Sequence, residues 1–225
     1  MPTTPKPAPT RPTASTGAEP HADAVIPWIG LTGGIGAGKS TALQALERLG
    51  AVCLSTDKVV HELYALPEIR DAVAQRFGPE VIADGRVDRP ALARAAFATD
   101  EGRGWLEQLL WPRVGERVAA FRAQADQADP PPRAAVVEIP LLFESGSDFG
   151  FDASIAVITD EVIRAQRAAG RGHEALSERA ARQLSQQEKS QRATYTVIND
   201  GTESELQDRL SVILDMLTSA PSTAP

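Results

Sequence analysis

The sequence predicts an α/β protein in which a parallel sheet lies between helices, a three-layer αβα arrangement. Three observations carry that reading. Short apolar runs recur at residues 28–32, 51–54, 134–140, 155–158 and 194–198, with helically spaced stretches between them. The run at 134–140 is apolar on both faces, as a strand inside a parallel sheet must be. The first run passes directly into Gly33-Gly34-Ile35-Gly36-Ala37-Gly38-Lys39-Ser40-Thr41 and then into the helically spaced Ala42-Leu43-Gln44-Ala45-Leu46.

Strand, G-x-x-x-x-G-K-S and helix is the context of a phosphate-binding P-loop, which makes the fold P-loop NTPase-type. Glycines let successive N–H groups turn inward around an anion, and the helix start adds unpaired N–H groups and the positive end of its dipole. Gly34, Ile35, Gly36, Ala37, Gly38, Lys39, Ser40 and Thr41 are thus the candidate nucleotide-binding residues. Lys39 would reach the β- and γ-phosphates, and the Ser40 hydroxyl would hold Mg²⁺. The implied ligands are a nucleoside triphosphate and its metal.

Leu49-Gly50 ends the helix, and the second strand runs into Ser55-Thr56-Asp57. An acid at the carboxyl end of such a strand lies where open α/β sheets bind ligands. Asp57 also precedes a helical pattern, so it reads either as a helix cap or as a catalytic group. Residues from about 58 to 127 are mostly helical in pattern, broken by Pro67, Gly78-Pro79 and the Asp84-Gly85 turn. Pro90 suits a helix start, and a longer helix carrying Leu106, Leu109 and Leu110 is expected to kink near Pro112. Trp105 and Trp111 are expected to pack. This block interrupts the strand alternation and reads as an insertion carrying the second substrate's site.

Ala128-Asp129-Pro130-Pro131-Pro132 is a linker into the third strand, Ala134 to Pro140, which carries Glu138 near its end. Glu138 reads either as an acid orienting a Mg²⁺-bound water or as a structural group. Arg164, Arg167, Arg171, Arg179 and Arg182 crowd the segment before the last strand, with Gly170 and Gly172 around Arg171. Such arginines form a solvated face or, in a chain with a P-loop, a lid over about 164–190 that neutralises phosphoryl charge. Leu206, Leu210, Ile213 and Leu217 mark a final amphipathic helix.

Bulk properties narrow the function classes. A net charge of −7 argues against a broad nucleic-acid surface. Cys53 is the single cysteine, so neither an intrachain disulfide nor a cysteine metal cluster forms; it reads as a buried structural thiol. His21, His61 and His173 are scattered and show no metal-site spacing. No apolar stretch is long enough to span a membrane. Residues 1–25, rich in Pro, Thr and Ala, and 219–225 are expected to be disordered tails around one domain over 26–218. The expectation is a cytoplasmic protein acting as a monomer or weak homo-oligomer, with small-molecule partners, no nucleic acid and no membrane.

Several blocks together resemble the dephospho-CoA kinase family. They are Ile29 to Thr41, Asp57, Phe77-Gly78, Asp84-Gly85-Arg86-Val87-Asp88-Arg89, Pro140-Leu141-Leu142-Phe143-Glu144, Gln183 with Glu188-Lys189, and Asn199-Asp200-Gly201, in family order over about 26–217. The resemblance implies transfer of the ATP γ-phosphoryl group to the ribose 3′-hydroxyl of dephospho-CoA, with Mg²⁺. It implies Asp57 as general base, Lys39 and Ser40 on phosphate and Mg²⁺, and Arg171 or Arg167 as the lid arginine. Leu141, Leu142, Phe143 and Glu144 would line the acceptor pocket, and Asn199 would lie near the adenine. The chain departs from the family in three places. Ser55-Thr56-Asp57 stands where Asp-Ala-Asp is usual, His61 replaces an arginine, and Trp111-Pro112 replaces a His-Pro pair. Rival readings are another P-loop small-molecule kinase with a nucleoside or nucleotide acceptor, and a nucleotide-binding switch. The Asn-Lys-x-Asp and Asp-x-x-Gly segments usual in GTPase switches are absent from the sequence.

Overall fold

Residues 26–145, 150–169 and 183–219 are described by the computed structural model. The expected tail 1–25 and residues 220–225 lie outside them, as do Arg171, His173, Arg179 and Arg182. Strands β1 (Trp28–Gly33), β2 (Val52–Ser55), β5 (Ala135–Glu138), β6 (Ala153–Ile158) and β7 (Tyr195–Ile198) form one parallel sheet in the order β2-β5-β1-β6-β7. All five expected strands are present, with ends shifted by one or two residues.

The order explains where a ligand can sit. β1 is central and buried along its whole length, and the chain leaves it toward β2 on one side and later reaches β6 on the other. Connections departing in opposite directions open a crevice at the carboxyl ends of the central strands. The glycine-rich segment follows β1 at that point.

Two helical layers cover the sheet. Helices α1 (Lys39–Arg48) and α8 (Glu203–Ser219) close one face through Leu43, Leu46, Leu206, Leu210, Ile213 and Leu214 against Ile29, Leu31, Val136, Ile155 and Val157. The other face buries Val118 and Ala125 of α5 (Asp100–Asp126) against Trp28, Ala135 and Val137. Helix α6 (Glu161–Ala169) follows β6, and α7 (Gln186–Arg192) precedes β7.

The inserted block has a core of its own. Helices α2 (Thr56–Leu63), α3 (Pro67–Phe77) and α4 (Arg89–Phe97) pack with the first half of α5 around Val59, Leu63, Ile69, Val73, Leu92 and Leu106. The Asp84-Gly85 turn closes a hairpin of β3 (Ile82–Ala83) and β4 (Arg86–Val87). Both turn residues have positive φ, 49° and 71°, the backbone a tight two-residue hairpin demands. Asp88 caps α4 by accepting from Ala91 N at 3.1 Å. Pro112 lies inside α5, which runs unbroken to Asp126. Trp105 packs edge-on against Phe77, 5.4 Å between centroids. Trp111, also expected to pack, is instead 46% exposed, because it lies on the outer face of α5.

Candidate active site

The loop after β1 folds as its glycines allow. Gly36 and Gly38 have φ of 81° and 94°, and a Cβ on Gly36 would stand 2.6 Å from the Arg164 carbonyl oxygen. A Cβ on Gly38 would collide with Asn199 Nδ2. Gly38 is the N-cap of α1 and makes Lys39 the first helical residue. Lys39 Nζ donates to the carbonyls of Gly33 at 3.0 Å and Gly34 at 3.3 Å, so the ammonium lies over the loop mouth. Ser40 follows, exposed, in the first turn. Asn199 Nδ2 donates to Ala37 O at 2.8 Å and is buried. Expected near the adenine, Asn199 thus braces the loop from behind.

Beside the loop lies an acid cluster. Ser55 and Glu138 are paired partners in the β2–β5 register and both are buried. Ser55 Oγ donates to Glu138 Oε2 at 2.5 Å, Thr56 Oγ1 donates to Glu138 O at 2.9 Å, and Lys39 Nζ is 3.9 Å from Glu138 Oε1. Burial pushes the Glu138 carboxyl above its ordinary value, and the Ser55 bond and Lys39 pull it back. Asp57 is the second residue of α2. The N-cap is Ser55, whose side chain makes no capping bond. The cap reading of Asp57 therefore falls. Its carboxylate is exposed, close enough to Glu138 to raise that group, and holds no hydrogen bond or ion pair among the described residues.

A third cluster lies beyond β5. Lys189 is fully buried, and its Nζ reaches Glu144 Oε1 at 2.6 Å, Pro140 O at 2.8 Å and Thr32 Oγ1 at 3.4 Å. Leu184 N donates to the same Glu144 oxygen at 2.8 Å. Glu144 Oε2 is buried with no partner among the described residues. Of the apolar trio, Leu142 is core, whereas Leu141 and Phe143 are half-buried. The side chains of Glu144 and Leu142 are thus engaged within the fold.

The loop is also held from above. Arg164 Nη1 donates to Ile35 O at 3.5 Å, and Ile35 N donates to Gln183 Oε1 at 3.3 Å, so both polar atoms of one loop residue are held. Arg167 Nη1 donates to Asn199 O at 3.0 Å and lies 3.8 Å from where a Gly38 Cβ would be. Arg167 therefore stands at the phosphate loop; the alternative lid residue, Arg171, is outside the described residues. Sequence reasoning missed the tie between Arg164 and Ile35 and the buried state of Lys189.

The donor set fits Mg²⁺. A serine hydroxyl and a glutamate carboxylate, as at Ser40 and Glu138, are hard oxygen donors of the kind Mg²⁺ takes, and no group of three or more His, Cys, Asp or Glu among the described residues could hold a metal by itself. Mg²⁺ bound chiefly by substrate phosphates needs only one or two protein oxygens.

The dephospho-CoA kinase family model matches residues 27–205. The chain belongs to the dephospho-CoA kinase family. A dephospho-CoA kinase of Moorella thermoacetica is 40% identical over 179 residues, 77% of this chain and 84% of that one. A crystal structure from Thermus thermophilus matches with TM-score 0.68 and 31% identity, covering 86% of this chain and 99% of the other. The dephospho-CoA kinase of Campylobacter jejuni shares the fold, with TM-score 0.61 at 24% identity over 84% of this chain and 96% of its own. The resemblance seen in the sequence and the P-loop fold are thereby both borne out. No helix among the described residues is long and apolar enough to cross a membrane.

Proposed function

We propose that this chain transfers the γ-phosphoryl group of ATP to the ribose 3′-hydroxyl of dephospho-CoA, giving coenzyme A and ADP, with Asp57 as general base. The observation that carries this is the placement of Asp57. It is an exposed acid without a hydrogen-bond or ion-pair partner among the described residues, beside the Glu138–Lys39 pair at the mouth of the phosphate loop. A base must be free to accept the hydroxyl proton, and Asp57 alone in that cluster is exposed.

The loop amides and Lys39 bind and orient the triphosphate. Ser40 and Glu138 would hold Mg²⁺, which supplies charge neutralisation at the β- and γ-phosphates when bound. Arg167 adds a guanidinium beside Gly38 of the loop. The block at 58–127 and the half-buried Leu141 and Phe143 would receive the acceptor, with Glu144 acting from beneath it.

The test is ADP release at fixed ATP and Mg²⁺ across candidate acceptors, with the product identified by mass. Dephospho-CoA should be the preferred acceptor and coenzyme A the product. A chain that instead prefers a nucleoside or nucleoside monophosphate is a different P-loop kinase.

A further inference from the structure

We propose that Ser55 is a positioning residue acting through Glu138. The buried acid of the phosphate site is supplied from β5, and a hydroxyl must face it from β2. The inference deepens the phosphoryl-transfer reading and rests on it for the role of ATP and for Mg²⁺ at Glu138.

The geometry is specific. Ser55 and Glu138 stand directly opposite in neighbouring parallel strands, 7% and 5% exposed. Their 2.5 Å contact lies in the range of a charge-assisted O–H···O⁻ bond, about 2.5–2.7 Å. The next residue, Thr56, holds the main-chain oxygen of the same Glu138 at 2.9 Å. Two consecutive residues of the β2–α2 junction therefore grip one residue of β5, by its side chain and by its backbone. With Oε2 taken by Ser55, Oε1 is left facing Lys39 Nζ at 3.9 Å. That ammonium is held on its other side by the Gly33 and Gly34 carbonyls. Ser55 thus fixes which Glu138 oxygen addresses the phosphate site.

Capping offers no competing account of Ser55, whose side chain makes no capping bond to α2. The neighbours also limit what can replace it. Alanine leaves a buried carboxylate oxygen without its donor. Aspartate places a second carboxylate opposite Glu138 across a strand spacing of about 4.8 Å, where like charges are destabilising.

The test measures ATP affinity by calorimetry with Mg²⁺ and again with EDTA, no acceptor being present. Ser55→Ala should weaken Mg²⁺–ATP binding by about tenfold, the effect of losing one charge-assisted bond, and leave binding in EDTA within about twofold. Glu138→Gln should do the same, and Ser55→Ala/Glu138→Gln should be no worse than Glu138→Gln alone. Ser55→Asp should bind worse than Ser55→Ala, and the reciprocal Ser55→Asp/Glu138→Ser should recover most of the loss. Ser55→Thr, which keeps the donor, should bind like the parent and covers the case in which Ser55→Ala does not fold. The proposal is overturned if the Ser55 and Glu138 effects multiply, if Ser55→Asp binds Mg²⁺–ATP like the parent, or if Ser55→Thr loses it. A failure to phosphorylate dephospho-CoA would remove the acceptor assignment and leave these binding results standing.

Discussion

Lys189 and Glu144 form an ion pair of 2.6 Å in which the lysine is fully buried and the glutamate is 12% exposed. Burial lowers the Lys189 ammonium below its ordinary value, and Glu144 opposes that shift. The pair joins α7 to the segment after β5, and the bonds from Lys189 to Thr32 Oγ1 and Pro140 O carry it to the end of β1. Removing one member of a buried pair leaves the other charge uncompensated, whereas replacing both with apolar groups is often close to neutral. Lys189→Met should therefore lower unfolding free energy by about 3–5 kcal/mol in urea titrations. Lys189→Met/Glu144→Leu should recover a large part of it. A double variant whose loss is the sum of the Lys189→Met and Glu144→Leu losses would show that the pair does not act as a unit.

Asp57→Asn should lower turnover by about 10²–10⁴-fold, the usual span for a positioned acid–base group. ATP affinity should hold, because the loop amides and Lys39 bind the triphosphate. Steady-state kinetics with a parallel ATP titration decides it. A drop of less than about tenfold would place the base elsewhere.

Gly38→Ala should disable the nucleotide site for two separable reasons. The N-cap has φ of 94°, which an alanine adopts only under strain, and the new Cβ collides with the buried Asn199 amide. Adding Asn199→Ala removes the collision and leaves the strain. ATP binding should vanish in the single variant and return only in part in the double. Full recovery would mean that the backbone conformation at Gly38 costs nothing.

The Cys53 thiol should be inert. Cys53, expected to be buried, is half-buried; desolvation, aided by Glu47, still pushes its thiol up to about 12, and its Sγ lies 3.7 Å from Leu43 O. Its thiolate fraction near neutral pH is then on the order of a thousandfold below that of a free cysteine. Iodoacetamide should label the native protein slowly and the urea-unfolded protein quickly. Similar rates in both would contradict the burial.

What could be read in the sequence follows the range of the interactions. The phosphate loop was legible because a contiguous segment carries its glycines, its lysine and its helix start. The strands were legible because burial in a parallel sheet makes each run apolar. Lys189 was not legible: it lies in the short polar helix Gln186–Arg192, and only its chain-distant partners Thr32, Pro140 and Glu144 show that it is buried. Ser55 read as a missing acid because the acid facing it lies 83 residues away in β5. Asn199 sits in a turn-like Asn-Asp-Gly segment, and its bond to Ala37 spans 162 residues. Trp111 was misread because a helix that packs two different cores presents its faces in a pattern no single period describes.

Glu138 should make stability pH-dependent with a definite sign. Its carboxyl is raised in the folded chain above the ordinary glutamate value of 4.5, burial being the largest cause. Between those two values the folded state holds a proton that the unfolded state has released, so stability falls as pH rises through that window. Below 4.5 the contribution is fully present, and above the folded value it is gone. Glu138→Gln removes the titrating group while keeping an amide oxygen for Ser55. The parent's stability relative to that variant, from urea unfolding at a series of pH values, should therefore fall as pH rises from about 4.5, and then level. The slope within the window should not exceed about 1.4 kcal/mol per pH unit, the limit for one proton. If the difference instead rises with pH, the Ser55 bond and Lys39 outweigh burial at this carboxylate, and the acid is held charged throughout.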